Sequence, residues 1–508
     1  MKLFPKTALG LIACGAAAYC ANWLTYGGDP QRDGWSREES ELSRENVGKL
    51  KLLWTAKLNN EPRELTSLTE PVVLGTQYTP KGAMDVVIVA GSSDNLYALD
   101  SDTGKVVWSR QFKTEQKPKQ AAEWLCPNAL NATPVIDPAT KLVYVIAADG
   151  TLHTVQAISG EEMSTPIQLV PPFAKTWSLN LVNGILYTSV SQGCNGAKSG
   201  VVTLNVKAKE TTPHFFQTAP AGAGVWGRGG VPVDPATGIS YGVTGDAPVD
   251  PAKGKYGDTV IAVDAAGKLL DYFTPSNWEW ITRKDLDMGN ITPVLFPFSG
   301  KKLLVTGGKE GVLYMLDTAS LGGADHHTPL FKSPRICNDD QTFQGQGIWG
   351  ALASASDGDG TTWVYAPIWG PPAATARFPV THGDAAQGSI MAFKVTSDGG
   401  KPVLTPAWMS GNLSVPEPPV VANGLVFALS TGENVTQVDA NGLLSSAQRS
   451  VTKGHAVLYA FDAKTGEQLY SSGDDIKDWS HFAGITVING HVYAVTHNST
   501  VYAFGFPE

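Results

Sequence analysis

Four short stretches of this chain hold residues that could do chemistry. Asp246 stands in Thr244-Gly245-Asp246, and Asp287 in Arg283-Lys284-Asp285-Leu286-Asp287. Lys309 lies in Gly308-Lys309-Glu310-Gly311, and Trp226 in Val225-Trp226-Gly227. Carboxylates can ligate a hard cation through oxygen or take a proton as a general base. Each stretch also has a plainer reading. Asp246 after a glycine fits a turn, the charged run at 283–287 fits a solvated loop, and Lys309 fits an exposed hairpin tip. Trp226 is one of 14 tryptophans and fits blade or core packing.

Other polar clusters carry less. Asp357-Gly358-Asp359-Gly360 starts like a Ca²⁺ loop but lacks its later ligands and terminal glutamate, so a tight hairpin turn is expected. His326 and His327 are adjacent, and neighbouring strand residues face opposite sides, which disfavours joint ligation. Trp349, Trp363 and Trp369 with Pro367, Pro371 and Pro372 form an aromatic, proline-rich region, either a roof over a small-molecule pocket or a wide insertion. The sequence holds no Gly-rich phosphate loop, no recognisable Ser-His-Asp arrangement and no haem-attaching Cys-x-x-Cys-His. Electrons from any redox step would therefore leave to a separate acceptor.

The elements that must position these residues are short β runs that repeat. The clearest unit is Asp85–Phe112, with apolar runs at Val86–Ala90, Leu96–Leu99 and Val106–Trp108. Turns at 91–95 and 100–104 separate them, which reads as an antiparallel meander. Related units recur at 142–161, 183–204, 239–268, 302–317, 363–408, 423–467 and 489–505. Spacings of about 40 to 60 residues are those of a propeller or array, because a four-stranded unit cannot bury both its faces alone. The expected fold is all-β: an eight-bladed β-propeller of four-stranded antiparallel blades. The last unit lacks an outer strand and Leu52–Lys57 is an orphan strand, so their pairing would close the ring.

The segment Ala98-x-Asp100-x-x-Thr103-Gly104-Lys105-x-x-Trp108 resembles the repeat of the pyrroloquinoline-quinone (PQQ) quinoprotein family, and recurs without its tryptophan at Ala460–Tyr470. The openings Trp23-x-x-Tyr26-Gly27-Gly28-Asp29 and Asn46-Val47-x-x-Leu50-x-x-x-Trp54 resemble the start of quinoprotein alcohol dehydrogenases. The resemblance implies an eight-bladed propeller whose repeat tryptophan packs on the next blade. It also implies an axial site holding PQQ, usually a Ca²⁺ ion, and a carboxylate base. It makes Trp226 the floor under PQQ, Lys309 the cation beside the PQQ oxygens, and Asp287 the base. Asp246 stands where the family has a metal-binding asparagine, and Asn195 in Gly193-Cys194-Asn195-Gly196 stands near its metal-binding glutamate. The pair would keep one amide and one carboxylate oxygen with positions exchanged. The family's two adjacent cysteines are missing, since Cys126 is followed by Pro127.

The whole chain sets the bounds. It has 508 residues, 42% hydrophobic and 17% charged, with 54 Gly, 33 Pro and a net charge of −9. That length allows a large core, and the acidic balance without a basic block argues against a nucleic-acid partner. Met1–Ala21 has Lys2 and Lys6, a short apolar centre and small residues at Ala16 and Ala18, the pattern of a secretory signal. It is too short to span a membrane. Leu11-Ile12-Ala13-Cys14 also resembles a lipoprotein signal, which would leave a lipid anchor at Cys14. The expected organisation is a signal peptide at 1–21 and a single propeller domain at 22–508, in a periplasmic or secreted protein. Of the remaining cysteines, Cys126 and Cys194 are the expected pair, with three buried free thiols as the other reading.

Three functions fit these residues. The first is an exported PQQ-dependent dehydrogenase oxidising an alcohol or related small molecule and passing electrons to a separate acceptor. The second is a non-catalytic PQQ-repeat propeller that serves as a periplasmic or outer-membrane protein-binding scaffold. The third is another enzymatic activity on the same axis.

Overall fold

The computed structural model describes residues 21–79, 82–209, 212–451 and 453–507. The expected signal segment, with Cys14 and Cys20, lies outside the described residues except for Ala21. Among the described residues no helix is long and apolar enough to cross a membrane.

Eight blade sheets follow one another along the chain, built almost wholly of antiparallel neighbours. The first blade is Val72–Thr79, Gly82–Gly91, Asn95–Asp100 and Val106–Gln111, paired in that order. The last is Ile485–Ile488, His491–Thr496 and Thr500–Gly505, whose outer neighbour is Lys51–Lys57 from the other end of the chain. The blades are not uniformly four-stranded. In the fourth, Ser240–Val243, Val260–Val263 and Leu269–Phe273 form a three-stranded sheet, and the inner strand is reduced to one bridge, Val233 to Ser240. Pro232 and Pro235 flank that bridge, and proline has no N–H to give a ladder. The sixth blade carries extra short strands, and its Trp363 is a buried blade residue stacked on Tyr365.

Tryptophans join blade to blade, as the repeat implied. Trp54 Nε1 of the last blade donates to Ser101 O at 2.7 Å, Trp108 Nε1 to Ala157 O at 2.9 Å, and Trp408 Nε1 to Ala463 O at 2.9 Å. Each indole lies on a glycine of the receiving turn. A Cβ at Gly104 would sit 2.4 Å from Trp54, at Gly160 2.7 Å from Trp108, and at Gly466 2.5 Å from Trp408. All three glycines also have positive φ, so the Thr-Gly or Ser-Gly of the repeat serves both the turn and the neighbouring ring. Around Trp408 the two faces merge into one core with Val421, Val426 and Phe461.

The segment before the first blade crosses the ring and is pinned by a buried carboxylate. Glu70 Oε1 accepts from Trp23 Nε1 and from the Gly27 N–H, both at 2.9 Å. Burial pushes the Glu70 carboxyl up from 4.5 to about 8 despite these donors. A carboxyl with a raised folded value favours the fold while protonated. Its contribution is full below the unfolded value and is lost as pH rises to about 8. Glu70→Gln should therefore gain on the wild type by roughly 4 kcal/mol between pH 5 and pH 9 in urea unfolding. A difference that does not change with pH would mean that Glu70 is already ionised in the fold.

Candidate functional site

The loops at one end of the ring enclose a cavity of about 620 Å³ lined by Trp226, Asp246, Asp287 and Lys309 among others. Repeat geometry brings them there. Asp246 follows strand Ser240–Val243 and Lys309 follows Lys301–Thr306, the same position in successive blades. Asp287 comes just after the short helix Trp278–Arg283 that links those blades. Backbone hydrogen bonds lock the tips together: Gly245 N–H to Gly224 O at 2.9 Å, and Lys309 N–H to Asp287 O at 3.2 Å.

Small residues let these tips approach. A Cβ at Gly245 would lie 2.7 Å from Asp287 Oδ2 and 3.1 Å from Trp226 Nε1, and one at Gly224 would lie 2.5 Å from the same Nε1. The half-buried Trp226 indole thus packs on two glycines with its remaining surface toward the cavity.

Charge is concentrated beside it. The Lys309 ammonium, buried at 6% exposure, meets Asp285 Oδ1 at 2.7 Å and pairs with Asp287 Oδ1. Phe343 and Trp349 cover it, with ring centres 4.3 and 5.5 Å away. Burial alone would lower its pKa, but Asp287 and Asp285 outweigh that and hold it well above the ordinary lysine range. Oxygens of Asp246, Asp285 and Asp287 all lie within 4.8 Å of one another. Burial, then Asp287 and Asp258, push the Asp246 carboxyl up to about 9, and its Oδ1 is buried without a partner. Three converging carboxylates with an unsatisfied oxygen are a donor set that suits a hard divalent cation.

Four of the five residues singled out in the sequence therefore meet, and Asn195 does not. Its side-chain oxygen accepts from the N–H groups of Lys119 at 2.7 Å and Gln120 at 3.3 Å. Its amide donates to Asn128 Oδ1 at 2.8 Å and Phe173 O at 3.0 Å. With its polar atoms used in clamping a loop, it has none free for a metal, and the exchanged-ligand idea is corrected. Asp285 is the third carboxylate instead, half-exposed and held at positive φ next to Lys309. The disulfide expected in the sequence forms: Cys126 and Cys194 have Cα atoms 5.5 Å apart, beside the cavity residues Leu125 and Gly193. Cys337 is buried and free.

The weaker motifs resolve as well. Asp357 Oδ1 accepts from Asp359 N–H and Thr361 N–H, closing a hairpin turn. His326 and His327 follow the turn Gly323–Asp325 rather than lying on a strand, and each has its Nδ1 on a backbone carbonyl. Trp349 lines the cavity and stacks on Trp369 at 4.7 Å, so part of the sixth region does roof the pocket.

Several cavity residues had no signal in the sequence. Lys175, Arg228, Arg449 and Phe482 line it from different blades and loops. Asn290, buried with its Oδ1 unpartnered, lines it too. Only folding brings them together.

Comparison with known proteins shows what the fold resembles. Residues 23–184 match the family described as "Glucose/ethanol/alcohol dehydrogenase, beta-propeller domain", of the PQQ type. By fold this chain is an eight-bladed propeller similar to those of quinoprotein dehydrogenases. It is similar to a quinohemoprotein alcohol dehydrogenase from Comamonas testosteroni at TM-score 0.62 and 15% identity, over 97% of this chain and 82% of that one. A quinohemoprotein alcohol dehydrogenase from Pseudomonas putida HK5 superposes at 0.61 and 15% identity, over 96% and 80% of the two chains. A europium-containing methanol dehydrogenase superposes at 0.62 and 15%, over 96% and 98%. No curated protein matches the chain in sequence. At such identities the likeness carries the propeller, and the chemistry must be argued from the cavity.

Proposed function

We propose that this propeller is an exported PQQ-dependent dehydrogenase that oxidises an alcohol and passes the electrons to a separate acceptor. One observation carries the reading. A buried lysine flanked by Asp285 and Asp287, with the unsatisfied Asp246 oxygen beside it, lies in the same cavity as the glycine-backed Trp226 indole. A flat face, a fixed cation and a set of oxygen donors are what a planar anionic quinone with a divalent cation requires.

In this reading Trp226 would be the floor, Lys309 would hold quinone oxygens, and Asp246 and Asp285 would offer oxygens to Ca²⁺, leaving Asp287 as the base. When bound, PQQ with its cation supplies a polarised two-electron acceptor for the hydride. Asp287 takes the hydroxyl proton of the alcohol as its carbon loses that hydride, leaving a carbonyl product. Lys309 keeps the Asp287 carboxylate in place throughout, and Trp349 and Phe343 exclude water from the pair. Export agrees with the Cys126–Cys194 disulfide, which persists in oxidising compartments.

The test is reconstitution. Purified protein titrated with PQQ and Ca²⁺ should show saturable binding by absorbance at one PQQ per chain, followed by alcohol-dependent reduction of an artificial electron acceptor. Absence of saturable binding would end this reading in favour of the scaffold.

A further inference from the structure

Away from the acidic trio, three cations line the same cavity, and of these only Arg449 has a carboxylate in direct ion pair. Lys175, in the short strand Lys175–Thr176, is 8% exposed. Its ammonium has one hydrogen bond, a 3.4 Å contact to Trp124 O, and stands 5.1 Å from the Trp177 ring centre. Arg228 lies between Trp177 and Phe482, its guanidinium carbon 3.5 Å from the Phe482 ring centre, with Nη1 on Phe482 O and Nε unpartnered. Arg449, from the short helix Ser446–Val451, is 3% exposed and 4.9 Å over Trp124. Its Nη2 is held by Glu433, while Nε and Nη1 have no partner.

Burying a donor without a partner is costly, and burying an unpaired charge more so. The local charge does not cancel. Against three cations stand two buried glutamates, Glu433 and Glu417, and an exposed Glu123 that solvent screens. His481, whose Nδ1 donates to Glu433 Oε2 at 2.6 Å, is pushed down to about 4, chiefly by burial, and adds no charge at neutral pH. With Lys175 protonated, one positive charge remains. Burial, then Arg228, push the Lys175 ammonium down to about 7, a strain that a bound anion would relieve.

We infer that Lys175, Arg228 and Arg449 form a carboxylate subsite, and that the alcohol oxidised in this cavity carries a carboxylate. The substrate half rests on the dehydrogenase reading above. A single carboxylate balances the surplus charge, and an ammonium and two guanidinium groups lining one cavity suit its two oxygens. The aromatic rings of Trp124, Trp177 and Phe482 around them exclude water and strengthen that attraction. The hydroxyl end of such a substrate would lie toward Asp287, in the same cavity. The carboxylates of PQQ are the competing source of the same chemistry.

Two arms separate the sources. In the first, full-length protein without PQQ is titrated with 4-hydroxybutyrate and with 1,4-butanediol, followed by tryptophan fluorescence. The hydroxy acid should saturate at concentrations at least tenfold lower than the diol, and Lys175→Met should erase that difference while Lys175→Arg keeps it. Equal binding of the two probes, or a difference unmoved by Lys175→Met, overturns the subsite. In the second arm, reconstituted enzyme should prefer the hydroxy acid over the diol in kcat/KM by at least tenfold, and Lys175→Met should remove that preference. If Lys175→Met instead weakens PQQ binding and leaves the ratio unchanged, the cations hold the quinone and the substrate assignment falls. Failure of PQQ binding with the first arm intact would sink the dehydrogenase reading and leave the carboxylate subsite standing.

Discussion

Asp287→Asn should lower kcat about a thousandfold in the PQQ-reconstituted protein while changing PQQ affinity by no more than about threefold. Asp287 is 2% exposed, and its Oδ2 lies against Gly245, the glycine that also backs the Trp226 Nε1. Asparagine keeps the shape and an oxygen for Lys309, so the ring tips joined by the Lys309 N–H to Asp287 O bond should stay in place. It removes the ability to take a proton. Parallel measurement of thermal unfolding separates the two effects. A variant that turns over at near the wild-type rate would place the base on Asp246 or Asp285, the other carboxylates within 4.8 Å. A variant that loses PQQ binding would make Asp287 a binding residue rather than a base.

Lys309→Met should cost about 3–5 kcal/mol in stability and abolish PQQ binding. Methionine fills the space under Phe343 and Trp349 but leaves Asp287 buried without its cation, beside Asp246 and Asp285. Like charges at that range cannot all stay ionised, so the site should take up protons. Unfolding by urea with and without millimolar Ca²⁺ tests the account: Ca²⁺ should recover part of the loss, because it replaces the missing positive charge. A variant as stable as wild type at neutral pH would show that the carboxylates are already discharged and that Lys309 is not their counter-charge. Asp287→Asn in the Lys309→Met background should restore stability, since it removes the stranded charge.

How much was legible beforehand differs between fold and site. The blades could be read in advance because each is made by residues close in sequence. Alternating apolar runs and the turns at 91–95 and 100–104 specify a meander locally. Even the demand for glycine at 104, 160 and 466 was visible as turn chemistry. Its second reason was not, because the indole on it comes from the neighbouring blade. The fourth blade departs from the expected four strands because Pro232 and Pro235 withhold ladder donors on either side of Val233.

The site divides in the same way. Trp226, Asp246, Asp287 and Lys309 could be named from short segments, since each sits at a blade tip whose position the repeat specifies. Asn195 could not be excluded as a ligand, because the N–H groups of Lys119 and Gln120 that consume its oxygen come from a distant loop. Asp285 read as a solvated neighbour of Arg283 and Lys284 until the fold turned its carboxylate onto Lys309. Lys175, Arg228 and Arg449 lie in unrelated stretches with no shared spacing, and only closure of the ring makes them one cluster. Local periodicity decides what repeats, through hydrogen bonds and apolar alternation along a few residues. Convergence on one cavity decides which side chains meet, because burial and charge pairing act through space between segments that the chain keeps far apart.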